Sequence, residues 1–286
     1  MTGRSVPKKW PTGLIEVAPN VFGYVQGGGV TGVSNGGLIV GEESAIAIDA
    51  LFVPSMTKRW LKTIRGATKL PVSHLINTHH HIDHTGGNTY FAKSEIVAHV
   101  NARQEMIRFG MPADRLKAFI PAFADEYDGM EMRLPDTTYT GQMTLYQGDR
   151  AIELLYMGPA HTPGDTLVYL PKEKVLFAGD VAFHYVAPGP FDCHVSGWIR
   201  VADRIAEMDV DVIVPGHGPI GTKKDLREMR DYLALLRTQA RRSFKAGEPI
   251  SEAVTKVKIG RFAEWVEAGR TPLLLQRLYM EFEGEI

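Results

Sequence analysis

Four histidines and one aspartate lie close together in the stretch NTHHHIDHTGG, residues 77–87. Imidazole and carboxylate groups are ligands that zinc, iron, manganese and cobalt take in proteins. The run is internal, so it is not a terminal purification tag, and it ends in Thr-Gly-Gly, which is typical of a turn. The alternative is a solvated polar loop, and residues elsewhere in the chain decide between the two.

Three further residues of the same types follow predicted strands. His161 stands in MGPAHTPGD after a strand candidate that ends at Met157, and Asp180 ends the apolar run VLFAGD. His217 stands in VIVPGHGP after a third apolar run, and the first cluster follows a fourth, VSHLIN. If these strands share a sheet, their C-terminal ends bring the side chains to one edge, where rigid strands hold ligands and loops leave room for substrate. The joint placement predicts a metal site.

The spacing within the first cluster indicates two centres rather than one. His79 and His81 are two positions apart, so both can face one direction in an extended segment. Asp83 and His84 are adjacent, where the chain turns, and they can face a second centre. With the three residues downstream, the candidates exceed what one four-coordinate ion can use, so two ions are expected. His80 should point away from the others, either behind the ligands or into solvent.

Apolar runs bounded by glycine and proline predict strands over the first 220 residues, with helices between some of them and charged helices after Gly221. The strand candidates are Val21–Val25, Gly37–Val40, Ala45–Asp49, Val72–Asn77, Ile96–His99, Ala151–Met157, Thr166–Leu170, Val175–Ala178 and Asp211–Val214. The helix candidates are Ser55–Ile64, Asn101–Phe109, Trp198–Met208, Lys223–Ala246, Ser251–Val257, Arg261–Glu267 and Thr271–Phe282. We expect a catalytic domain over residues 1–222 and a helical extension packed on it over residues 223–286.

Composition excludes several classes of function. The net charge of −1 gives no reason to expect nucleic acid or an anionic membrane as a partner. Cys193 is the only cysteine, which rules out an internal disulfide framework and fits a reducing compartment. No apolar stretch follows the first lysines as in a secretory signal, and none approaches the ~20 residues that span a bilayer. We therefore expect a soluble, cytoplasmic protein whose partner is a small-molecule substrate rather than nucleic acid or a membrane.

The ordered set His79-x-His81-x-Asp83-His84, His161, Asp180 and His217 resembles the full dinuclear signature of the metallo-β-lactamase-fold hydrolases. The resemblance extends from about Val17 to Gly221. It includes GGLIVGEESAIAIDA, which is similar to the early hairpin of that family and ends near Asp49.

The resemblance implies an α/β fold, the αββα four-layer sandwich in which two sheets lie face to face between outer helices. It assigns His79, His81 and His161 to a first metal. It assigns Asp83, His84 and His217 to a second metal, with Asp180 bridging the two. Two zinc ions per chain are expected, with iron or manganese as alternatives.

Departures from known subfamilies leave the substrate open. Asp180 replaces the cysteine that many β-lactamases use, and this makes the chain similar to glyoxalase II and the acyl-homoserine lactonases. The GHGPIG that contains His217 lacks the Glu-Tyr-Thr pattern of glyoxalase II. Phe183 stands where the lactonases have a tyrosine. The flavodiiron reductases have a glutamate near the position of His81 and a flavodoxin domain, both absent here.

The expected reaction is hydrolysis of an ester, lactone or thioester bond by a hydroxide that bridges the two metals. Asp83 is expected to assist at the leaving group as well as to bind metal. A β-lactamase-like amide hydrolase and an iron-dependent dioxygenase of the same fold are the alternatives. A thiol nucleophile at Cys193 is disfavoured, because a lone Cys-His pair in sequence is usually coincidental.

Two stretches are expected to contact the substrate. In FHYVAPGPFDCH, after the bridging aspartate, we expect His184 rather than Tyr185 to face the metals, because neighbours on an extended segment point to opposite sides. The long segment 111–147 carries Phe119 and Phe123, with Tyr127 and Tyr139 further on, and could form an apolar lid. The terminal helices could complete the pocket or form a homodimer interface.

Overall fold

Twelve strands in two sheets form the centre of the part of the chain that the computed structural model describes, residues 6, 7, 9–111 and 113–286. The strands are β1 Gly13–Ala18, β2 Val21–Val25, β3 Gly36–Val40, β4 Ala45–Ile48, β5 Val72–Ile76, β6 Glu95–His99, β7 Thr137–Tyr139, β8 Gln142–Gln147, β9 Arg150–Leu155, β10 Leu167–Leu170, β11 Val175–Phe183 and β12 Val212–His217. Part of the N-terminal stretch judged not to be a secretory signal, and residue 112 of the segment 111–147, lie outside the described residues.

Eight α-helices connect or cover these strands within the same residues. They are α1 Pro54–Ala67, α2 Ile82–Thr85, α3 Val100–Phe109, α4 Ala113–Phe119, α5 Val195–Glu207, α6 Lys223–Lys245, α7 Ile250–Lys256 and α8 Thr271–Glu283. Short 3₁₀ turns add Asn88–Phe91, Pro121–Glu126, Gly260–Glu264 and Ala268–Arg270. Among the described residues, every helix is too short or too polar to span a lipid bilayer.

The first sheet has the order β1-β2-β3-β4-β5-β6-β7 and the second has the order β12-β11-β10-β9-β8. β4, β5, β6 and β7 pair in parallel, as do β11 and β12, and helices make several of these crossovers. The remaining neighbours are antiparallel. Because the parallel strands are covered on both faces, β4 and β11 are buried along their whole length.

Three apolar clusters divide the molecule into four layers. One cluster lies between the sheets and combines side chains such as Ile46 and Ile76 with Val168 and Phe177. A second joins the first sheet to α1, and a third joins β11 to α5, α6 and α8. The sheets approach so closely that a Cβ on Gly37 would collide with the ring of Phe177. This arrangement confirms the predicted αββα sandwich.

The C-terminal helices share a continuous apolar core with the second sheet. Leu233 and Leu236 of α6 belong to the same buried cluster as Leu274 and Leu278 of α8 and Trp198 of α5. The division into a catalytic domain, residues 1–222, and a packed helical extension, residues 223–286, stays a prediction.

Several local predictions need correction. The four ligand-bearing strands do not share one sheet, because β5 belongs to the first sheet and β9, β11 and β12 to the second. The predicted helix Arg261–Glu267 is a 3₁₀ turn, Gly260–Glu264, followed by an extended Trp265. The predicted helix Thr271–Phe282 corresponds to α8, which starts at the same residue and runs on to Glu283.

Candidate metal centre

The seven predicted metal ligands converge at the edge where both sheets end. The loop after β5 and the short helix α2 carry His79, His81, Asp83 and His84 from the first sheet. The second sheet supplies the other three: His161 follows β9, Asp180 lies inside β11, and His217 ends β12. Among the described residues, potential ligand atoms form three groups, each within 4.8 Å. The seven residues make up the first two, namely His79, His81, His161 and Asp180, and then Asp83, His84 and His217; the third group is His80, His81 and Asp192.

The first group is held at distances suited to a small ion. His81 Nδ1 lies 2.9 Å from His161 Nε2, and His161 Nε2 lies 3.3 Å from Asp180 Oδ2. Ligand atoms on a tetrahedral zinc ion with bonds of 2.0–2.1 Å are about 3.3 Å apart. The spacing of these atoms therefore fits one ion.

The second group meets the first at Asp180. His217 Nε2 lies 3.3 Å from Asp83 Oδ2 and 3.4 Å from Asp180 Oδ2, while His84 Nε2 lies 3.0 Å from Asp180 Oδ1. Gly216 makes this approach possible, since a Cβ there would overlap the Asp180 carboxylate. Asp180 thus lies between the two groups, as a bridging carboxylate would.

Buried atoms without hydrogen-bond partners test whether the site suits metal ions. His79 Nε2, His84 Nε2 and Asp180 Oδ1 are fully enclosed, and the described residues offer them no hydrogen-bond partner. Such atoms are costly in a protein interior unless a ligand satisfies them. His84 Nε2 and Asp180 Oδ1 lie 3.0 Å apart, close to the spacing of two ligands that share an ion. The donor set fits divalent metal ions.

Burial and the nearby carboxylates shift the pKa values of the buried histidines in opposite directions. Burial lowers the pKa of His79 and of His161 well below the usual value, so both are neutral and their lone pairs are available. Burial also disfavours charge on His84 and His217, but the surrounding carboxylates outweigh it. They raise the pKa of His84 well above its usual value and that of His217 to about 9.

Two carboxylates behind the ligands orient the rings. Asp49 Oδ2 accepts a hydrogen bond from His84 Nδ1 at 2.7 Å, and Asp192 Oδ2 accepts one from His81 Nε2 at 2.9 Å. These bonds leave His84 Nε2 and His81 Nδ1 facing the site. Asp49 also accepts hydrogen bonds from the backbone N–H and the hydroxyl of Thr78, both at 2.8 Å, which fixes the start of the loop.

His80 is buried behind the site, and it is not exposed. Its Nε2 lies 3.3 Å from Asp192 Oδ2, and its ring stacks on Phe109 at 5.4 Å. Burial lowers the pKa of His80 to about 4. Of the two placements predicted for His80, behind the ligands or in solvent, the structure supports the first.

A cavity of about 290 Å³ opens beside the two groups. Asp83, His161, Asp180 and His217 form part of its wall. Much of the remaining wall is apolar and comes from β11, from the loop after it, and from α3, α4 and the turns that follow them: Met106, Phe109, Leu116, Phe119, Ile120, Met132, Phe183 and Phe191. The segment 111–147 therefore does border the cavity.

The aromatic residues of that segment divide between cavity and core. Phe119 lines the cavity and contacts Phe191 at 5.4 Å between ring centroids. Tyr127 and Tyr139 are buried in the core, and Phe123 packs on Phe52. One of the four aromatic residues predicted to form a lid thus reaches the cavity.

His184 and Tyr185 do not line the cavity, in contrast to the expectation that one of them faces the metals. His184 Nδ1 donates to the Pro219 carbonyl at 2.9 Å, and the Tyr185 hydroxyl donates to Asp225 Oδ1 at 3.0 Å. The physical reason is that Tyr185 has a left-handed backbone, φ 59°, so the segment does not alternate as an extended strand does.

The sequence patterns did not predict three polar residues that line the cavity. Asp192, Thr31 and Arg270 all line it, and they come from regions far apart in the chain. Asp192 stands in the loop that was expected to face substrate, so its polar type within FHYVAPGPFDCH was an available signal. Nothing in the local sequence singles out Arg270, which the C-terminal segment brings to the site.

Comparison with known proteins identifies relatives of this fold. The model of the metallo-beta-lactamase superfamily matches residues 29–217. The alpha subunit of 2,4-dinitroanisole O-demethylase from Nocardioides sp. is 30% identical over 188 residues, which cover 63% of this chain and 51% of that protein. A metallo-beta-lactamase type 2 from Bacillus cereus is 24% identical over 217 residues, covering 74% of this chain and 77% of that protein.

Solved structures show the same fold at lower sequence identity. The sec-alkylsulfatase Pisa1 from Pseudomonas sp. superposes with a TM-score of 0.73 and 19% identity, over 96% of this chain and 51% of that chain. A metallo-beta-lactamase from Pontibacter korlensis gives a TM-score of 0.60 at 23% identity, covering 77% of this chain and 98% of that chain. The chain spans about half the length of the O-demethylase subunit and of the alkylsulfatase.

Proposed function

The chain belongs to the metallo-beta-lactamase superfamily, and we propose that it is a dinuclear zinc-dependent hydrolase that cleaves an ester, lactone or thioester bond of a small molecule. The observation that carries the proposal is the pair of ligand groups joined at Asp180 beside one cavity. A single ion would leave several of the seven donors without a role, whereas two ions use all of them.

The proposed ligands divide as the geometry groups them. His79, His81 and His161 would hold one ion, and Asp83, His84 and His217 the other, with Asp180 shared between them. Zinc ions held by these residues would supply a water of lowered pKa, near ~7, as nucleophile and a Lewis acid for a carbonyl oxygen.

Asp83 is suited to remain ionised during the reaction. Burial alone would favour its protonation, but the charges of His84 and His217 outweigh burial and hold the pKa of the carboxyl well below its usual range. Asp83 can therefore bind metal, but a carboxylate with so low a pKa is a weak base and, being ionised, it has no proton to donate at neutral pH. Its Oδ2 atom lies 3.3 Å from His217 Nε2, at the cavity wall.

The orienting carboxylates support the same chemistry from behind. Asp49 and Asp192 each accept a hydrogen bond from the ring of a proposed ligand, which fixes the tautomer that would bind metal. Hydrogen bonds of His80 and His81 hold the pKa of Asp192 well below its usual range, against the effect of its burial. Asp192 is therefore an anion at neutral pH and remains a hydrogen-bond acceptor for His81.

The relatives suggest which alternatives deserve a direct test. Their names include a β-lactamase, an alkylsulfatase and an O-demethylase subunit, so amide, sulfate-ester and aryl-ether cleavage are the competing reactions. An iron-dependent dioxygenase of the same fold is a further alternative. Seven protein donors favour two ions and hydrolysis over a single iron.

The decisive experiment combines metal analysis with a substrate panel. Protein as purified is analysed for metals and then assayed, zinc-loaded, on chromogenic esters, lactones, thioesters, a cephalosporin, an alkyl sulfate and a nitroaryl methyl ether. We expect two zinc ions per chain and the highest kcat/KM on an ester, lactone or thioester.

A matched pair of histidine variants provides the control. His79→Ala removes a proposed ligand, whereas His74→Ala removes a half-buried histidine of β5 that interacts with Ser73 and lies outside both ligand groups. Only His79→Ala should lose activity and metal. One iron per chain with oxygen consumption, or turnover of the cephalosporin alone, would contradict the proposal.

A further inference from the structure

A buried arginine forms part of the cavity wall, and it comes from outside the matched family region. Arg270 ends the 3₁₀ turn before α8, beyond residue 217, and only 9% of its surface is exposed. Burying a cation is costly unless partners compensate it. A guanidinium in this position therefore needs an explanation beyond surface charge.

Neutral oxygen atoms hold the guanidinium in place. Arg270 Nη1 donates to the Ala187 carbonyl at 2.9 Å, and Nη2 donates to the Thr31 hydroxyl at 2.6 Å. These bonds use two of the five N–H donors of a guanidinium. Because both acceptors are neutral, they fix the orientation of the group without cancelling its charge.

The neighbouring carboxylate compensates that charge only partly. Glu267 Oε1 lies 3.7 Å from Arg270 Nη2, which is too far for a hydrogen bond. The same oxygen accepts hydrogen bonds from the Thr31 backbone N–H at 3.1 Å and from the Thr31 hydroxyl at 3.2 Å. Glu267 is thus directed at Thr31, and Arg270 retains donors for a ligand in the cavity.

The other carboxylates at the cavity are already committed. Asp192 accepts from His81, while Asp83 and Asp180 belong to the two ligand groups and would be neutralised by divalent ions. Apolar side chains of α3, α4 and the loop after β11 form much of the opposite wall, including Met106, Leu116, Phe119 and Phe191. A molecule that fills this space meets an apolar surface and two arginines, the buried and fixed Arg270 and the exposed Arg115.

We propose that Arg270 determines specificity by binding an oxyanion of the substrate, a carboxylate or a sulfonate-type group separate from the bond that is cleaved, on an otherwise apolar body. A guanidinium fork matches the paired oxygens of such groups. This inference rests on the proposed function, because it takes the cavity as the substrate site.

Binding of two matched probes tests the proposal without turnover. Octane-1-sulfonate and methyl octyl sulfone share an apolar chain and a tetrahedral sulfur, but only the first is an anion. In calorimetry on the zinc-loaded protein, the sulfonate should bind at least ~10-fold more tightly than the sulfone, because a bond between two charged groups is stronger than a neutral one. Arg270→Gln should reduce that preference to about threefold or less.

Kinetics provide the second arm. The half ester and the diester of one dicarboxylic acid present the same scissile bond with and without a remote carboxylate. The ratio of their kcat/KM values should fall in Arg270→Gln by about the same factor as the probe preference, mainly through KM. If neither ester is hydrolysed, hydrolysis of these esters is excluded, while the sulfonate result still decides the role of Arg270.

Three further variants make the outcome unambiguous. Arg230→Gln removes an arginine that pairs with Asp203 on the outer surface, and it should keep the full preference for the sulfonate. Arg270→Lys keeps the charge and should show an intermediate preference. Arg270→Met, which keeps an apolar stem, replaces Arg270→Gln if that variant loses its cooperative melt or its zinc.

Three results would overturn the inference. The first is an unchanged preference in Arg270→Gln. The second is a preference in Arg270→Lys as low as in Arg270→Gln, which would mean that Arg270 only anchors the C-terminal segment. The third is loss of the preference in Arg115→Gln instead, because Arg115 is the exposed arginine that lines the same cavity.

Discussion

Replacing Asp49 by asparagine should weaken metal binding although Asp49 is not a proposed ligand. The Asp49 carboxylate is buried and accepts three hydrogen bonds, from His84 Nδ1 at 2.7 Å and from the Thr78 N–H and hydroxyl at 2.8 Å each. An asparagine has one acceptor oxygen, and its amide group would face one of these donors. If that donor is His84 Nδ1, the ring proton must move to Nε2, the atom that faces Asp180.

The magnitude follows from the loss of this tautomer. Substitution of a carboxylate behind a ligand ring typically costs roughly 10- to 100-fold in metal affinity, or about 1.4–2.7 kcal/mol. The loss should fall on the ion that His84 would hold. One of the two zinc ions should therefore bind much more weakly, while the affinity for the other is kept. Competition with a chromophoric chelator measures both dissociation constants, and thermal melts of the metal-free protein measure stability separately.

Asp136→Asn is the matched control, because Asp136 also accepts a backbone N–H, from Ile96 at 2.9 Å, and it lies outside both ligand groups. It should lower the melting temperature and leave both zinc constants unchanged. If Asp49→Asn behaved in the same way, with both constants within about threefold of the original, Asp49 would act on the loop alone and the reasoning would be refuted.

Three other expectations can be measured on the same protein. Asp180→Ala should lower zinc content and cost several orders of magnitude more kcat than His80→Ala; equal metal content and kcat would exclude a bridging role. Burial lowers the pKa of His217, but the nearby carboxylates outweigh it and raise this pKa to about 9. Zinc must therefore displace a proton from the His217 ring at neutral pH. Because His84 belongs to the same group and its pKa is also raised, apparent affinity should fall by about tenfold or more per unit as pH falls below ~9, with buffer-dependent calorimetric heats, and a flat profile would argue against this. Burial raises the pKa of the Cys193 thiol to about 12, so Cys193→Ser should be nearly silent and iodoacetamide should label only unfolded protein.

Residue type and order predicted the ligand cluster, because each ligand follows or ends a strongly apolar run. They placed Asp180 at the end of a strand, whereas β11 continues to Phe183. The Gly-Asp pair is a breaking signal in sequence, but parallel pairing with β12, up to Phe183 opposite His217, overrides it. Tertiary pairing of this kind cannot be deduced from the local pattern.

Edge strands were missed for a related reason. β8, Gln142–Gln147, alternates between exposed and half-buried residues at the edge of the second sheet, so its apolar signal is weak. The starts of two helices were also predicted one residue too late, at Ser55 and Asn101. α1 begins at Pro54 and has no side-chain cap bond at Val53. α3 begins at Val100, after His99, whose imidazole accepts a bond from Asn101 N.

The position of Arg270 at the cavity could not be predicted from the residues around it in the sequence. A single arginine before an apolar helix is ordinary in sequence, and only the contacts with Thr31 and Ala187 reveal its position. Those partners are 239 and 83 residues away in the chain. The left-handed backbone of Tyr185 was not predictable either, because tyrosine has no preference for that conformation.

Both ligand groups draw on both sheets, and this has a mechanical consequence. His79 and His81 belong to the first half of the sandwich, while His161 and Asp180 belong to the second; Asp83 and His84 face His217 in the same way. Ions held there would act as two non-covalent cross-links that clamp the open edge of the sandwich. Chelation would then loosen the halves against each other, and slow amide exchange in β5 and β11 would depend on free zinc, since a ligand that binds only the closed form stabilises it by mass action.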